Sequence, residues 1–203
     1  SRLIKKAFLT AGFNISRVQL KDKGQGNKEA GDSYFQDSLR FLWLKSFGFK
    51  TIIDVGANEG QFTGKILYVF PEAEVHCFEP LFGVFQDLKN NLKGKENIFF
   101  YHCGLGAVDE EKEIFRNEYS PSSSLLEMLD LHKKNFDTAV KVINERISIK
   151  RLDDVLLNKV KKPLLVKIDV QGYEMHVING GHKIIEQADV VIIETSFYPL
   201  YAG

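Results

Sequence analysis

Cysteine is nearly absent from this chain: Cys77 and Cys103 are the only two in 203 residues. Neither belongs to a C-x-x-C pair or another metal-type spacing, and each lies in an apolar run, so both are expected to be reduced, buried thiols. Net charge is absent too, with 27 Lys and Arg against 27 Asp and Glu. Without a global positive field the chain has no general means of holding a polyphosphate backbone or an anionic membrane, which makes nucleic acid and membrane surfaces poor expectations. Long hydrophobic runs are also missing. Nowhere do about 18 uncharged apolar residues follow one another, and the opening Ser1-Arg2-Leu3-Ile4-Lys5-Lys6 has no long apolar stretch or small-residue cleavage site behind it. A cytoplasmic protein with no membrane span is expected.

What is present is core material. The chain is 44% hydrophobic and 12% aromatic, with 16 Phe, too apolar for disorder and of a length that suits one α/β domain. Leu3, Ile4, Ala7 and Phe8 recur at helical spacing up to Gly12, and residues 21–33 hold three glycines and almost nothing apolar. Residues 1–36 therefore read as an N-terminal helix and mobile loop, and 37–203 as the main domain. Asp37 or Ser38 can cap a helix whose face is Leu39, Leu42, Trp43 and Phe47, with Gly48 ending it.

From there strands and helices alternate. Strands are expected at 51–55, 74–78, 97–103, 164–170 and 190–194. Helices are expected at 61–70, at 81–92 with Phe82, Phe85, Leu88 and Leu92 on one side, and at 173–187 with a break near Asn179-Gly180-Gly181. The polar, turn-rich stretch after Val108 reads as an insertion over about 108–150, closing on a short exposed strand at 145–150, and Asp153 or Asp154 can start a helix through Val160. No internal repeat is visible. Strands joined by helices require parallel crossovers, so the fold class is α/β with a doubly wound, Rossmann-like sheet that binds ligands at the carboxyl ends of its strands. Asp54, Glu79, Asp169 and Glu194 stand at or beside four of those ends.

Asp54-Val55-Gly56-Ala57-Asn58-Glu59-Gly60 joins the first strand to its helix. It lacks a complete G-x-G-x-x-G, the chain has no Walker-type loop, and Glu59 adds a negative charge where a pyrophosphate would sit. Glu79, at the end of the adjacent strand, can accept hydrogen bonds from both hydroxyls of a ribose. An adenosine signal is thus stronger than a dinucleotide signal.

These segments, with Phe78-Glu79-Pro80, Ser122-Ser123-Ser124-Leu125, Arg151-Leu152-Asp153-Asp154, Leu165 through Glu174 (LVKIDVQGYE) and Ile193-Glu194, resemble the FkbM family of S-adenosylmethionine-dependent methyltransferases, in order from about residue 50 to 201. The resemblance implies a class I methyltransferase sheet, S-adenosylmethionine as cofactor and O-methylation of a saccharide or similar polyhydroxylated small molecule. It implies that Gly56, Asn58 and Gly60 hold the methionine end, Glu79 the ribose and the turn after Cys103, with Gly104, the adenine, and that Asp169 lies near the sulfonium. Asp54, Ala57 and Pro80 are further cofactor-binding candidates by the same resemblance. Sheets of this class continue past a fifth strand, so this one is expected to end two strands early.

Methyl transfer to a hydroxyl needs alignment and a base. Asp169 leads as base or cofactor-orienting carboxylate, with Glu174 and His102 as further catalytic candidates. Ser122, Ser123 and Ser124 are candidate substrate hydroxyls, and no metal site is assigned. Two other readings stay open at this level: an NAD(P)- or nucleotide-sugar-binding Rossmann enzyme, and a non-catalytic adenosine-binding domain. The oligomeric state, including a homo-oligomer, is also open.

Overall fold

A computed structural model describes residues 37–117, 123–124 and 142–194. The helix expected at the N-terminus and the loop at 21–33 lie outside the described residues. After a 3-10 helix, Leu39–Phe47, come β1 (Thr51–Val55), α1 (Gln61–Val69), β2 (Glu74–Phe78), α2 (Phe82–Asn91), β3 (Ile98–Tyr101) and β4 (Gly104–Leu105). Next are β5 (Glu110–Asn117), β6 (Ser123–Ser124), β7 (Val142–Lys150) and α3 (Leu152–Leu156). The described part closes with β8 (Leu164–Ile168), α4 (Glu174–Gly180), α5 (His182–Ile185) and β9 (Val190–Ile193).

Five strands form one parallel sheet in the order β3-β2-β1-β8-β9. The β-branched run of β1 is buried at all five positions, as expected of a central strand covered on both faces. Its alternate side chains serve two cores. Ile52 joins Val75, Leu165 and the inner faces of α1 and α2, including Ile66 and Leu88. Ile53 and Val55 join Phe78, Val166 and the residues Leu152, Leu156, Val177 and Ile184 of α3 to α5. The chain leaves β1 for β2 on one side and reaches β8 on the other, so the strand order reverses at the β1–β8 seam. Val55 pairs with both Phe78 and Ile168, which brings the carboxyl ends of β2, β1 and β8 level. The expected α/β class, parallel sheet and break at Gly180-Gly181 are observed.

Several local expectations need correction. In the first helix, Leu39, Leu42, Trp43 and Phe47 are exposed, and the buried residue is Leu44. A 3-10 helix places every third residue on one line rather than spreading a face at 3.6-residue spacing. Ser38 sits in helical backbone geometry without a side-chain cap bond, while Gly48 ends the helix at φ 61° as expected. Phe82, placed on the inner face of α2 by its spacing, is 59% exposed because it is the first helical residue and lies beyond the sheet.

Within the stretch read as an insertion, the described residues of β5, β6 and β7 join β4 in a second sheet of order β4-β7-β5-β6, with β5 and β7 antiparallel over eight residue pairs. Its polar composition is misleading because one buried line, Ile114, Ile147 and Ile149 against Leu81, suffices to seat it. The helix at 152 stops at Leu156 rather than Val160. Asp153 is buried, and its carboxylate accepts from the backbone N–H groups of Lys183 (3.2 Å) and Ile184 (3.1 Å), serving α5.

Cys77 is buried and Cys103 partly so, and both are free thiols. Burial pushes the Cys77 thiol pKa well up, and that of Cys103 up to about 11. His76 is enclosed on β2, sharing a 3.0 Å hydrogen bond between Nδ1 and the Tyr101 hydroxyl and stacking on Phe99. Its Nε2 has no hydrogen-bond partner among the described residues, and burial lowers its pKa to about 4. Among the described residues no helix is long and apolar enough to cross a membrane.

Candidate functional site

The carboxyl ends of β2, β1, β8 and β9 open into a cavity of about 510 Å³, within the ordinary range of small-molecule sites. The turn after β1 forms one wall. Gly56 (φ 72°) and Asn58 (φ 51°) hold left-handed geometry, and the N–H groups of Gly56 and Ala57 donate to the Phe78 carbonyl at 3.1 and 2.9 Å, tying the turn to β2. A methyl group on Gly56 would meet the Asp169 carbonyl oxygen at 2.0 Å. Glycine is therefore required where β1 and β8 converge.

Glu79 follows β2 and is 6% exposed. Its Oε2 accepts from the Asn58 N–H and its Oε1 from the Leu81 N–H, each at 3.0 Å. Burial raises its pKa to about 7 against the opposing effect of those two donors, with Asp54 adding to the rise and Lys167 moderating it. Each carboxylate oxygen can accept further bonds beyond its backbone donor. Around it Pro80, Leu81, Val84, Leu105 and Ile114 make an apolar pocket, partly supplied by the second sheet. The opposite end, beside α1, carries Arg40 and Lys65, which pair with Asp37 at 3.5 and 2.9 Å, and the edge-to-face rings of Phe41 and Phe62.

Between these ends lies a charge cluster. Lys167 Nζ is 3.1 Å from Asp54 Oδ1, 3.4 Å from Asp169 Oδ2, and donates to the Gly56 carbonyl at 3.0 Å. The contact with Oδ1 is an ion pair rather than a well-directed hydrogen bond. Asp54 is sealed at 0% exposure, its Oδ2 accepting from the Thr63 hydroxyl at 2.7 Å, and that hydroxyl oxygen lies 3.3 Å from Cys77 Sγ. Burial alone would lower the lysine pKa, but Asp54 and Asp169 outweigh it and raise it, so Lys167 is a cation. Asp169 also accepts from Gln171 Nε2 at 3.3 Å. Glu194, at the rim after β9, has its pKa raised by partial burial and then by Asp169.

Of the residues singled out in the sequence, Gly56, Ala57, Asn58, Glu79, Pro80, Gly104 and Asp169 line this cavity together. Asp54 stands behind its wall. Gly60 is turned away at φ 90°, where a methyl group would strike Leu92 at 2.8 Å, so it serves the packing of α2. His102 is exposed and stacks on Phe85 of α2 at 4.8 Å. Glu174 accepts from the Gly172 N–H at 3.0 Å in the first turn of α4. Neither His102 nor Glu174 lines the cavity. Ser122 lies outside the described residues, and the backbone of Ser123 and Ser124 pairs with Arg116 and Phe115.

Lys167 was given no role by sequence reasoning, although its signal is plain. A lysine within Leu164-Leu165-Val166-Lys167-Ile168, a fully buried strand, must find carboxylates. Tyr173 was also missed. It is 2% exposed, lines the cavity, and its hydroxyl accepts from Lys112 Nζ at 3.1 Å, linking β5 to the loop after β8. Among the described residues no three His, Cys, Asp or Glu side chains converge as metal ligands.

Comparison with known proteins places these features in context. The profile of the Methyltransferase FkbM domain matches residues 54–203. "Methyltransferase 1" of Beauveria bassiana (strain ARSEF 2860) is 29% identical over 142 residues, covering 64% of this chain and 57% of its own. "2-O-methyltransferase NoeI" of Sinorhizobium fredii (strain NBRC 101917 / NGR234) is 24% identical over 164 residues, covering 75% of this chain and 65% of its own. The chain thus spans about three-fifths of the length of these curated relatives.

Proposed function

The chain belongs to the FkbM methyltransferase family, and from that premise we propose that it is an S-adenosylmethionine-dependent O-methyltransferase whose acceptor is a hydroxyl of a saccharide or similar polyhydroxylated small molecule. The observation that carries the reading is Glu79, a carboxylate 6% exposed at the end of β2, turned into a cavity at the point where strand order reverses. It retains acceptor capacity for a ribose diol. The fit extends to both sides. The apolar pocket of Pro80, Leu81, Val84, Leu105 and Ile114 suits a purine face, and the Arg40 and Lys65 end suits an amino-acid carboxylate. The name of the Sinorhizobium relative supports an oxygen as the accepting atom.

S-adenosylmethionine, when bound, supplies an activated methyl group together with its own leaving group. The chain's work is then positioning and proton handling. The Gly56 turn, fixed to the Phe78 carbonyl and held by Lys167, gives the crevice a rigid floor. Asp169, kept beside the Lys167 cation, faces the cavity as an anion. It can orient an acceptor hydroxyl by accepting its hydrogen bond and take up its proton as the new bond forms. With His102 stacked outside the cavity, Asp169 is the base this reading favours.

Calorimetric titration tests the cofactor. S-adenosylmethionine is expected to bind and NAD(P) not, and the reverse would favour a dinucleotide enzyme. Screening saccharide acceptors with a labelled methyl donor tests the reaction, and binding without transfer to any acceptor would favour a non-catalytic adenosine-binding domain.

A further inference from the structure

The strand ends form a ruler across the crevice. Glu79, Gly56, Asp169 and Glu194 follow β2, β1, β8 and β9, four neighbouring strands in the sheet, and neighbours lie about 4.8 Å apart. In an adenosyl ligand whose ribose hydroxyls are held by Glu79, the sulfur follows the ring by a single methylene. The span from the held hydroxyls to the sulfur is then about one strand spacing, which carries the sulfur from Glu79 to the end of β1, where Gly56 stands against the Asp169 carbonyl.

The charged groups there are Lys167, Asp54 and Asp169, in ion pairs of 3.1 and 3.4 Å, with Glu194 beside Asp169 at the rim adding no positive charge. One cation is shared by two carboxylates, so one negative charge is left over. Asp54 is fully sealed, whereas the Asp169 side chain is 27% exposed, so the surplus charge meets the cavity at Asp169. A lysine lining a pocket would by itself repel a cationic ligand; here two carboxylates overturn its sign.

We propose that Asp169, only half-compensated by Lys167, makes this crevice select a ligand with positive charge at its centre, so that the sulfonium methyl donor is held in preference to the neutral thioether left after transfer. The inference rests on the adenosyl reading of the cavity. In the transfer the S–CH3 bond breaks, its electron pair stays on sulfur, the O–CH3 bond forms, and the hydroxyl proton passes to the base. The ligand then loses the positive charge that held it, and product exchange is eased at the step where a spent cofactor would otherwise block the site.

Calorimetry on the full chain separates charge from shape with three probes: S-adenosylmethionine, S-adenosylhomocysteine, and the amine analogue in which C–NH3+ replaces the sulfonium S–CH3. In D169N the two cationic probes are expected to lose about tenfold in affinity while the thioether changes by less than about twofold. D169E should retain the cationic preference. An equal loss for all three probes, or an unchanged ratio of cationic to neutral affinity, overturns the proposal. The unaltered protein offers a check that no folding defect can obscure: the amine analogue should bind more tightly than the thioether, and a tighter thioether overturns the proposal. If none of the three binds, it is the adenosyl reading itself that falls.

Discussion

Removing Lys167 should cost more than removing either of its carboxylates. Asp54 has no contact with solvent and is held by the Lys167 cation and the Thr63 hydroxyl. In K167M a full negative charge is stranded in the core with one hydroxyl donor, a situation that costs about 3–5 kcal/mol in buried pairs. D54N leaves Lys167 with Asp169 and the Gly56 carbonyl, and the asparagine can still accept from Thr63, so its cost is expected nearer 1–2 kcal/mol. D169N, at a partly exposed position, should cost less than about 1 kcal/mol. Combining K167M with D54N removes the stranded charge, and the double variant should be more stable than K167M alone, with a coupling of about 2 kcal/mol. Urea unfolding followed by far-UV circular dichroism measures all four, provided the slopes agree. A K167M deficit below about 1 kcal/mol, or costs that add to within about 0.5 kcal/mol, would refute the cluster as the electrostatic centre of the seam.

Other expectations follow from single groups. His76 has a folded pKa of about 4 against 6.5 when free, so the unfolded chain binds a proton that the folded one refuses, and stability falls as pH drops below about 6.5. The loss reaches about 2 kcal/mol by pH 5, and the acid limb of a pH–stability profile should flatten in H76Q. Glu79 has the opposite sign: its pKa of about 7 means that its contribution, full below about 4.5, is lost as pH rises through 7. Because a ribose diol requires the ionised carboxylate, calorimetric affinity for S-adenosylmethionine should rise over that same interval and lose this dependence in E79Q. G56A, forced 2.0 Å from the Asp169 carbonyl, should cost more than about 3 kcal/mol. G94A, at a similar φ of 83° but with nothing within 4 Å, should cost only about 1 kcal/mol in thermal or urea unfolding.

The legible parts of the molecule were those in which local pattern and burial agree. The run Thr51-Ile52-Ile53-Asp54-Val55 is apolar on both faces and is a central parallel strand. Glu79 could be placed beside the first turn from sequence spacing alone. The alternation of strands and helices put Gly56 and Asp169 at carboxyl ends of strands without saying that those strands are neighbours, and the structure sets Gly56 against the Asp169 carbonyl. What escaped was set by tertiary geometry. His102 precedes a turn toward the cavity, yet its ring is captured by Phe85 and Phe82. Asp153 had the chemistry of a local helix cap but serves a helix thirty residues onward. β5 was hidden because a strand with one buried isoleucine, Ile114, carries too little apolar signal to stand out from a polar stretch.

The β1–β8 seam also bears on how the molecule is assembled. Thr51 pairs with Glu74 on one side and with Leu164 on the other, and closing the longer of these two loops costs roughly 1.4 kcal/mol more in chain entropy. β1 and β2 can therefore meet, and present Gly56 and Glu79, while the chain that will become β8 is still being synthesised. A polypeptide halted before Leu164 would carry Glu79 and the glycine turn but neither Lys167 nor Asp169. Ligand binding at the crevice is then a report that the segment from Leu164 onward, about one fifth of the chain, has docked, and a bound ligand would staple the pairing with the longest loop rather than the shorter one.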